Sequence, residues 1–405
     1  MELIGDVHKD LWGKKGSNSL VAQIAKLNDE TFKIDENMHY SELWIGSYAS
    51  GAGRIKTSGT ALPKELPFVM KVVSINKALN IEMHPTKADA EVLHVKEPKL
   101  YKDPNHRPEM IIALTPFVGL CGFRPLAQIK AILTDIYPLK AVAVENSDDF
   151  DRLAADDALG LRNCYTKLIA TDGEEISKCI NIISSDFGKE LCNFDVLEIF
   201  NKLKNDFPND IGVLSIFFLN IVRLEPGEAL FIGANELHAY LSGDCVECVA
   251  CSDNVLRAGL TNKYRDIKNL VNLVDCKSVA AEDKVLKPLP IDEHCLLFKA
   301  PVEDFLVIKL TLAHSDPEYI WKIQQTPAIL LVLSGQRLLS GKAFNQLLLK
   351  RGSILYLPFE VGTELHFSVS GEIEEEFLAY MSTPNMTPPE TEDSLNQTAD
   401  DFEVN

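Results

Sequence analysis

Two hydrophobic rhythms alternate along this chain and divide it into regions. Up to about residue 125, short apolar runs such as 67–75 and 109–116 are separated by turn-rich connections, the pattern of β-strands. Residues 40–54 are rich in Gly and Ser, giving flexible backbone beside aromatic and charged side chains. From 126 to 210 the spacing lengthens. Leu126, Ile129, Ile132, Leu133 and Ile136, and later Val196, Ile199, Phe200 and Leu203, recur at helical intervals. Strand signals return over 213–224 and 232–249, and a further β-rich block runs from about 288 to 380. Within it Ala328-Ile329-Leu330-Leu331-Val332-Leu333-Ser334-Gly335 reads as a buried strand ending in a turn. Residues 382–405 are rich in Pro, Thr, Asp and Glu with little to bury, and are expected to be disordered.

A short internal repeat links the β-rich regions. Pro226-Gly227-Glu228-Ala229-Leu230-Phe231-Ile232 reads like Arg351-Gly352-Ser353-Ile354-Leu355-Tyr356-Leu357, each a turn glycine feeding a buried strand. Extended, the alignment sets Thr363 opposite His238. The expected fold is therefore mainly β with an α-helical insertion. Residues 1–125 and 211–275 make one β-barrel, 126–210 the insertion and 276–381 a second barrel of similar build. Residues 382–405 form an acidic tail.

Composition narrows the function. With 405 residues, 46% of them hydrophobic, there is ample core for two or three domains. A net charge of −19 argues against a nucleic-acid partner, which demands a basic footprint. Nine cysteines, scattered and odd in number, suit reduced thiols rather than a disulfide framework. No basic segment followed by an apolar stretch opens the chain, and the apolar run around 211–222 is too short to span a bilayer. The expectation is a cytoplasmic protein without membrane partners, and a monomer.

Candidate metal ligands then stand out. Glu82 and His84, at i and i+2, point to one face if they lie on a strand. His238 follows the strand-like run 228–232, and Glu109 lies in the polar segment 101–110, where His106 competes with it. Carboxylate and imidazole together suit Zn, Fe, Mn or Ni. Cys245, Cys248 and Cys251 have the spacing of iron–sulfur ligands, but no fourth cysteine follows closely, and small buried side chains are the simpler reading. Arg257 and Lys263 could hold a phosphate, one as a fork and one as a point charge. The charged positions from Lys64 to Lys77 read as solvation of a strand edge.

Taken in order, these segments resemble the type I phosphomannose isomerase family. The resemblance is carried by Leu66-Pro67-Phe68-Val69-Met70-Lys71-Val72, by Asn76 to Lys87, by Tyr101 to Met110, by Phe117 to Pro125, by Gly233 to Asn254 and by Arg257-Ala258-Gly259-Leu260-Thr261. Trp12-Gly13-Lys14 and Glu42-Leu43-Trp44-Ile45-Gly46 fit it as well. It implies two cupin-type (jelly-roll) barrels around a helical domain, with one Zn²⁺ per chain in the first barrel only. It further implies zinc ligands at Glu82, His84, Glu109 and His238, a catalytic Arg257, and active-site positions at Lys263 and Glu247. Arg107, Asn80, Trp12 and Lys263 become candidates for contacting a sugar-phosphate substrate. The implied reaction is the interconversion of mannose 6-phosphate and fructose 6-phosphate, which feeds GDP-mannose synthesis. Enediolate stabilisation falls to zinc and Arg257, phosphate binding to Arg107, Lys263 or both, and proton transfer to Glu247.

The chain departs from the family pattern Ser-Ile-Gln-Ala-His-Pro-Asp, reading Asn80-Ile81-Glu82-Met83-His84-Pro85-Thr86. The family's Lys-Pro-Glu is Arg107-Pro108-Glu109 here, and Asn-Glu-Leu-His replaces Asn-Glu-Pro-His. A carboxylate still binds zinc, but a second one takes the site's charge from about +1 to about zero. At an effective dielectric of about 20 such a change amounts to several kcal/mol, and each ~1.4 kcal/mol is tenfold in rate. A diverged member that binds metal or sugar phosphate without efficient turnover is the alternative. An iron-dependent cupin oxygenase, using two His and one carboxylate, is a third class.

Overall fold

Strand Phe68–Ile75, apolar but for Lys71 and Ser74, is buried at all eight positions, as a strand covered on both faces must be. The computed structural model describes residues 1–48, 53–62, 66–155, 157–323, 327–341, 344–358, 362–371 and 375–385. In it Phe68–Ile75 pairs with Glu42–Ile45 on one side and with the 13-residue strand His238–Ala250 on the other. The sheet continues through Glu109–Ala113 and Ala229–Ile232 to Val285–Leu286. Cross-strand partners Trp44, Lys71, Glu247 and Ile111 lie side by side and so share a face. Val73, Ile111, Phe117, Leu230, Tyr240 and Cys245 pack together on that inner side. The outer side carries Met70, Val72, Val246 and Cys248, which join Phe298, Val307, Ile329 and Tyr356 of the C-terminal strands in one core.

His238–Ala250 changes partners midway. Its first part pairs with Phe117–Phe123 and its second with Phe68–Ile75 and Glu109–Ala113. The switch falls at Gly243, whose φ of +114° puts a Cβ within 2.8 Å of the Pro116 carbonyl oxygen, so only glycine fits.

Residues 126–206 are helical, from Leu126–Asp135 to Leu197–Asp206. Asn146, Asp157 and Asp172 cap helix N-termini there through side-chain oxygens. The buried helix faces form one core with Ile81, Met83, Leu120, Ala239 and Leu241 on the back of the strands. Two expectations shift. The region read as strand from 213 begins with the short helix Gly212–Ser215, and the strand is Leu219–Leu224. The Asp210 carboxylate explains this, drawing the N–H groups of Gly212, Leu260 and Thr261 onto one side chain. Helices Leu20–Asn28 and Lys87–Lys96, capped by Ser19 and Thr86, lie in the part read as strands and turns.

The C-terminal β-region stacks a six-stranded sheet on a four-stranded one, with Leu310, Leu330, Leu355, Phe367 and Phe377 between them. Gly227 and Gly352 have φ of +94° and +87°, each turning into a buried strand, Ala229–Ile232 and Ile354–Leu357. The last strand, Phe377–Thr383, runs two residues into the expected tail; 386–405 lie outside the described residues. Among the described residues no helix is long and apolar enough to cross a membrane.

Candidate metal centre

Three strands set the ligands. Glu82 sits in the short strand Ile81–Met83 with His238 across from it on one side and Arg257 on the other. His84, two residues on, is fully buried, and ligand atoms of Glu82, His84 and His238 all lie within 4.8 Å of one another. Glu109 opens its strand between Ile232 and Val249. Its Oε1 is 3.1 Å from His84 Nε2 and its Oε2 is 3.6 Å from His238 Nε2.

Both imidazoles are oriented from behind. His84 Nδ1 lies 2.7 Å from the Asn254 carbonyl oxygen and His238 Nδ1 lies 3.0 Å from that of Glu236. A proton on each Nδ1 satisfies those carbonyls and leaves each Nε2 as a lone pair facing the carboxylates, the arrangement of metal-bound histidine. His84 Nε2 is buried and makes no hydrogen bond, although a carboxylate oxygen is near it. Two electron-rich atoms brought this close call for a cation between them, and a divalent metal fits the donor set. Burial would raise the Glu109 carboxyl, but the cationic groups beside it, Arg107 among them, outweigh burial and hold it well below the usual range. His238 is pushed down by burial, which keeps the neutral form that ligates. The grouping of His8, Asp10 and Glu42 is more open, and its Glu42 is committed to Lys71.

Beyond the ligands lies a buried charged group. Tyr240 donates to Glu109 at 2.6 Å or to Glu247 at 3.0 Å. Glu247 forms an ion pair with Lys71 at 2.7 Å, and Lys71 reaches Glu42 at 3.2 Å while lying 4.5 Å over the Trp44 ring. Burial raises the Glu247 carboxyl above its ordinary value, with Glu109 and Glu42 adding to it against Lys71 and Arg107. Glu42 is held low because Lys71 outweighs its own burial. Lys71 and Arg107 stay charged, the carboxylates around them outweighing desolvation.

The strand-edge reading of the charges from Lys64 to Lys77 therefore fails at Lys71, which is 2% exposed and lines the cavity with Glu82, Arg107, Glu109, His238 and Glu247. Residues 63–65 lie outside the described set. Lys71, Glu42 and Tyr240 escaped sequence reasoning. For Tyr240 a signal existed in its i+2 spacing from His238; for Lys71 only its partners distinguish it from an edge lysine.

The remaining candidates divide. Arg107 lines the cavity and sets its Nε 3.2 Å from Glu109 Oε1, already committed to a ligand carboxylate. Asn80 donates to Glu82 at 3.3 Å. Arg257 is half-buried with its Nε buried and unpaired. Lys263 lies exposed on the loop after Leu256–Gly259 and Trp12 is half-buried, neither lining the cavity. His106 is taken by Asp304 at 2.8 Å and is no competitor to Glu109. Cys245 and Cys248 face opposite sides of their strand, one in the inner core and one in the core shared with the C-terminal strands, so the three cysteines hold no cluster.

Comparison with known proteins bears on the chain as a whole. Residues 1–62 and 54–126 match the model of the phosphomannose isomerase type I catalytic domain, and 139–219 match its helical insertion domain. The chain is 35% identical to a mannose-6-phosphate isomerase of Bos taurus, over 91% of this chain and 95% of the relative. It is 37% identical to one of Schizosaccharomyces pombe, over 83% and 89%. A crystal structure of a phosphomannose isomerase variant from Salmonella typhimurium superposes with a TM-score of 0.79 at 28% identity, covering 95% of this chain and 99% of that one. A zinc-bound mannose 6-phosphate isomerase superposes with a TM-score of 0.77 at 29% identity and the same coverage.

Proposed function

The chain belongs to the type I phosphomannose isomerase family, and from that premise we propose that it interconverts mannose 6-phosphate and fructose 6-phosphate using one zinc ion, supplying mannose 6-phosphate for GDP-mannose synthesis. The observation that carries this for the chain's own residues is the pair of imidazole Nε2 atoms turned onto the Glu109 carboxylate, with each ring's Nδ1 against a backbone carbonyl. Glu82, His84, Glu109 and His238 would hold the zinc. Bound there, it would draw electron density from the sugar's carbonyl oxygen and acidify the neighbouring C–H.

The proton moves on protein groups. Aldose–ketose isomerisation takes a proton from one carbon and returns it to the next, so the carrier must be both base and acid near neutral pH. Glu247 suits that task because burial lifts its carboxyl towards the working range while Lys71 keeps it ionisable. Tyr240 bridges Glu247 to Glu109 and fixes both carboxylates. Arg257, across from Glu82, would stabilise the enediolate oxygens as negative charge develops on them. With Arg107 held to Glu109, the exposed Lys263 is the better candidate for the phosphate. Nothing observed favours the alternative of a family member without turnover. We read the protein as a cytoplasmic monomer whose net charge of −19 discourages nucleic acid.

A coupled assay following fructose 6-phosphate formed from mannose 6-phosphate tests the reading. Turnover should be plain, and Glu247→Gln should lower kcat by about 10²-fold or more with zinc content unchanged. A kcat within about twofold of wild type would remove Glu247 from the proton-transfer role.

A further inference from the structure

We infer that Lys284 is a positioning residue for the metal centre, acting through Glu236 on the loop that carries His238. The inference rests on the assignment of zinc to Glu82, His84, Glu109 and His238. Residues 233–237 leave the sheet after Ala229–Ile232 and re-enter it at His238, so the ligand's position depends on what grips this loop. Asn235, in the left-handed region at φ +60°, donates its N–H to the His84 carbonyl at 2.6 Å. Its own carbonyl accepts the Asp275 N–H at 2.9 Å. The Glu236 carbonyl orients the His238 ring, and its carboxylate forms an ion pair with Lys284.

That ion pair is built in rather than incidental. The two side chains are 15% and 18% exposed, so the charges are largely withdrawn from solvent screening. Gly122, at φ +63°, makes the space: a Cβ there would come within 2.7 Å of Glu236 Oε1. Asp275 and Lys284 both belong to the segment that connects the two β-regions, outside the sheet that supplies the ligands. The loop between the two histidine ligands is thus braced from that connection at two points. Without Lys284, the Glu236 carboxylate would be left without its counter-charge and would turn to water. Its backbone carbonyl would move with it, off the His238 imidazole. Loss of such outer partners typically costs about 10–100-fold in metal affinity.

Charge alone makes the opposite prediction for the two partners. Removing a lysine makes the surroundings more negative and should slow zinc loss, whereas neutralising Glu236 should hasten it; positioning predicts that both hasten it. The test is zinc release from the full-length zinc-loaded enzyme into excess chromogenic chelator. Lys284→Met and Glu236→Gln should each accelerate release about tenfold, the double variant no more than either alone, and Lys284→Arg should restore the wild-type rate to within about twofold. Opposite directions, additive effects or an unchanged Lys284→Met would overturn the inference. Should Lys284→Met fail to fold, Lys284→Gln takes its place in the comparison, unchanged or slower release rejecting the role. A wild-type protein holding no zinc would overturn the metal assignment instead.

Discussion

Glu82 puts a second carboxylate among the proposed ligands, with a guanidinium, Arg257, across the strand pair from it. Its charge opposes the withdrawal of electrons that isomerisation needs, so Glu82→Gln should keep or raise kcat in the coupled assay. A large loss would show that the carboxylate has been adopted into the mechanism. Lys71 is the residue that holds the cavity's charges together. Replacing it with Met strands Glu42 and Glu247 in the interior, and unfolding by urea should show a loss of roughly 3–5 kcal/mol. The contribution of Glu42 to the pH dependence should change sign as well, adding to that of Glu247, which burial already raises. In wild type, Glu42 is held below its ordinary value by Lys71, so it contributes stability above that value that is lost as the pH falls through it. In Lys71→Met the stranded carboxyls rise above their unfolded values, and metal-free protein should become more stable as the pH falls from about 7 to about 5. A flat or unchanged profile would contradict the assignment. Glu82 and His84 were legible as a pair because strand spacing alone puts them on one face. Lys71 was not, because a lysine inside an apolar run looks the same at a sheet's edge and at its centre until its partners are known, and Glu42 lies 29 positions away.

At the scale of elements, one strand does most of the assembly. His238–Ala250 carries a proposed metal ligand, a bridging tyrosine and the proposed proton carrier. A regular pleat would put His238 and Tyr240 on the face opposite Glu247, since even and odd positions alternate. Gly243 resolves the conflict by shifting the pleat where the strand changes partners. Gly243→Ala should therefore cost about 2 kcal/mol or more in thermal or urea unfolding, through both its φ of +114° and the Pro116 carbonyl. It should also lower kcat by misaligning Tyr240 with Glu247; an unperturbed variant would show that the kink is dispensable. The strand itself was readable from its apolar content. The kink was not, because a glycine in a strand signals a bulge without saying what the bulge re-aims. The helical insertion was the most legible element, its i, i+3, i+4 pattern landing on the buried residues Ile129, Ile132 and Leu133. Of the early helices, Lys87–Lys96 was missed because it buries only Ala90 and Leu93 and shows almost no apolar stripe, whereas Leu20–Asn28 does carry one in Val21, Ala22, Ile24 and Ala25.

At the scale of the whole molecule, the two β-regions share a core, and the N-terminal amine is tied to the Tyr356 carbonyl at 2.9 Å. The runs holding Met70, Val72 and Val246 read as strands, but what covers them was not legible, because packing between distant strands leaves no periodic trace. That shared core makes the C-terminal region part of the support for the metal centre, consistent with Lys284 reaching the ligand loop from the connection between them. The central claim is that Glu82, His84, Glu109 and His238 hold one zinc on which isomerisation depends. The most direct measurement is a titration of metal-free enzyme with zinc, following bound metal and the appearance of fructose 6-phosphate on the same samples. The account predicts that turnover rises in proportion to bound zinc and stops rising at one per chain, and that Glu109→Gln and His238→Ala bind zinc too weakly to follow that line. Turnover that persists without metal, or a chain saturated with zinc that turns over no faster than background, would contradict it.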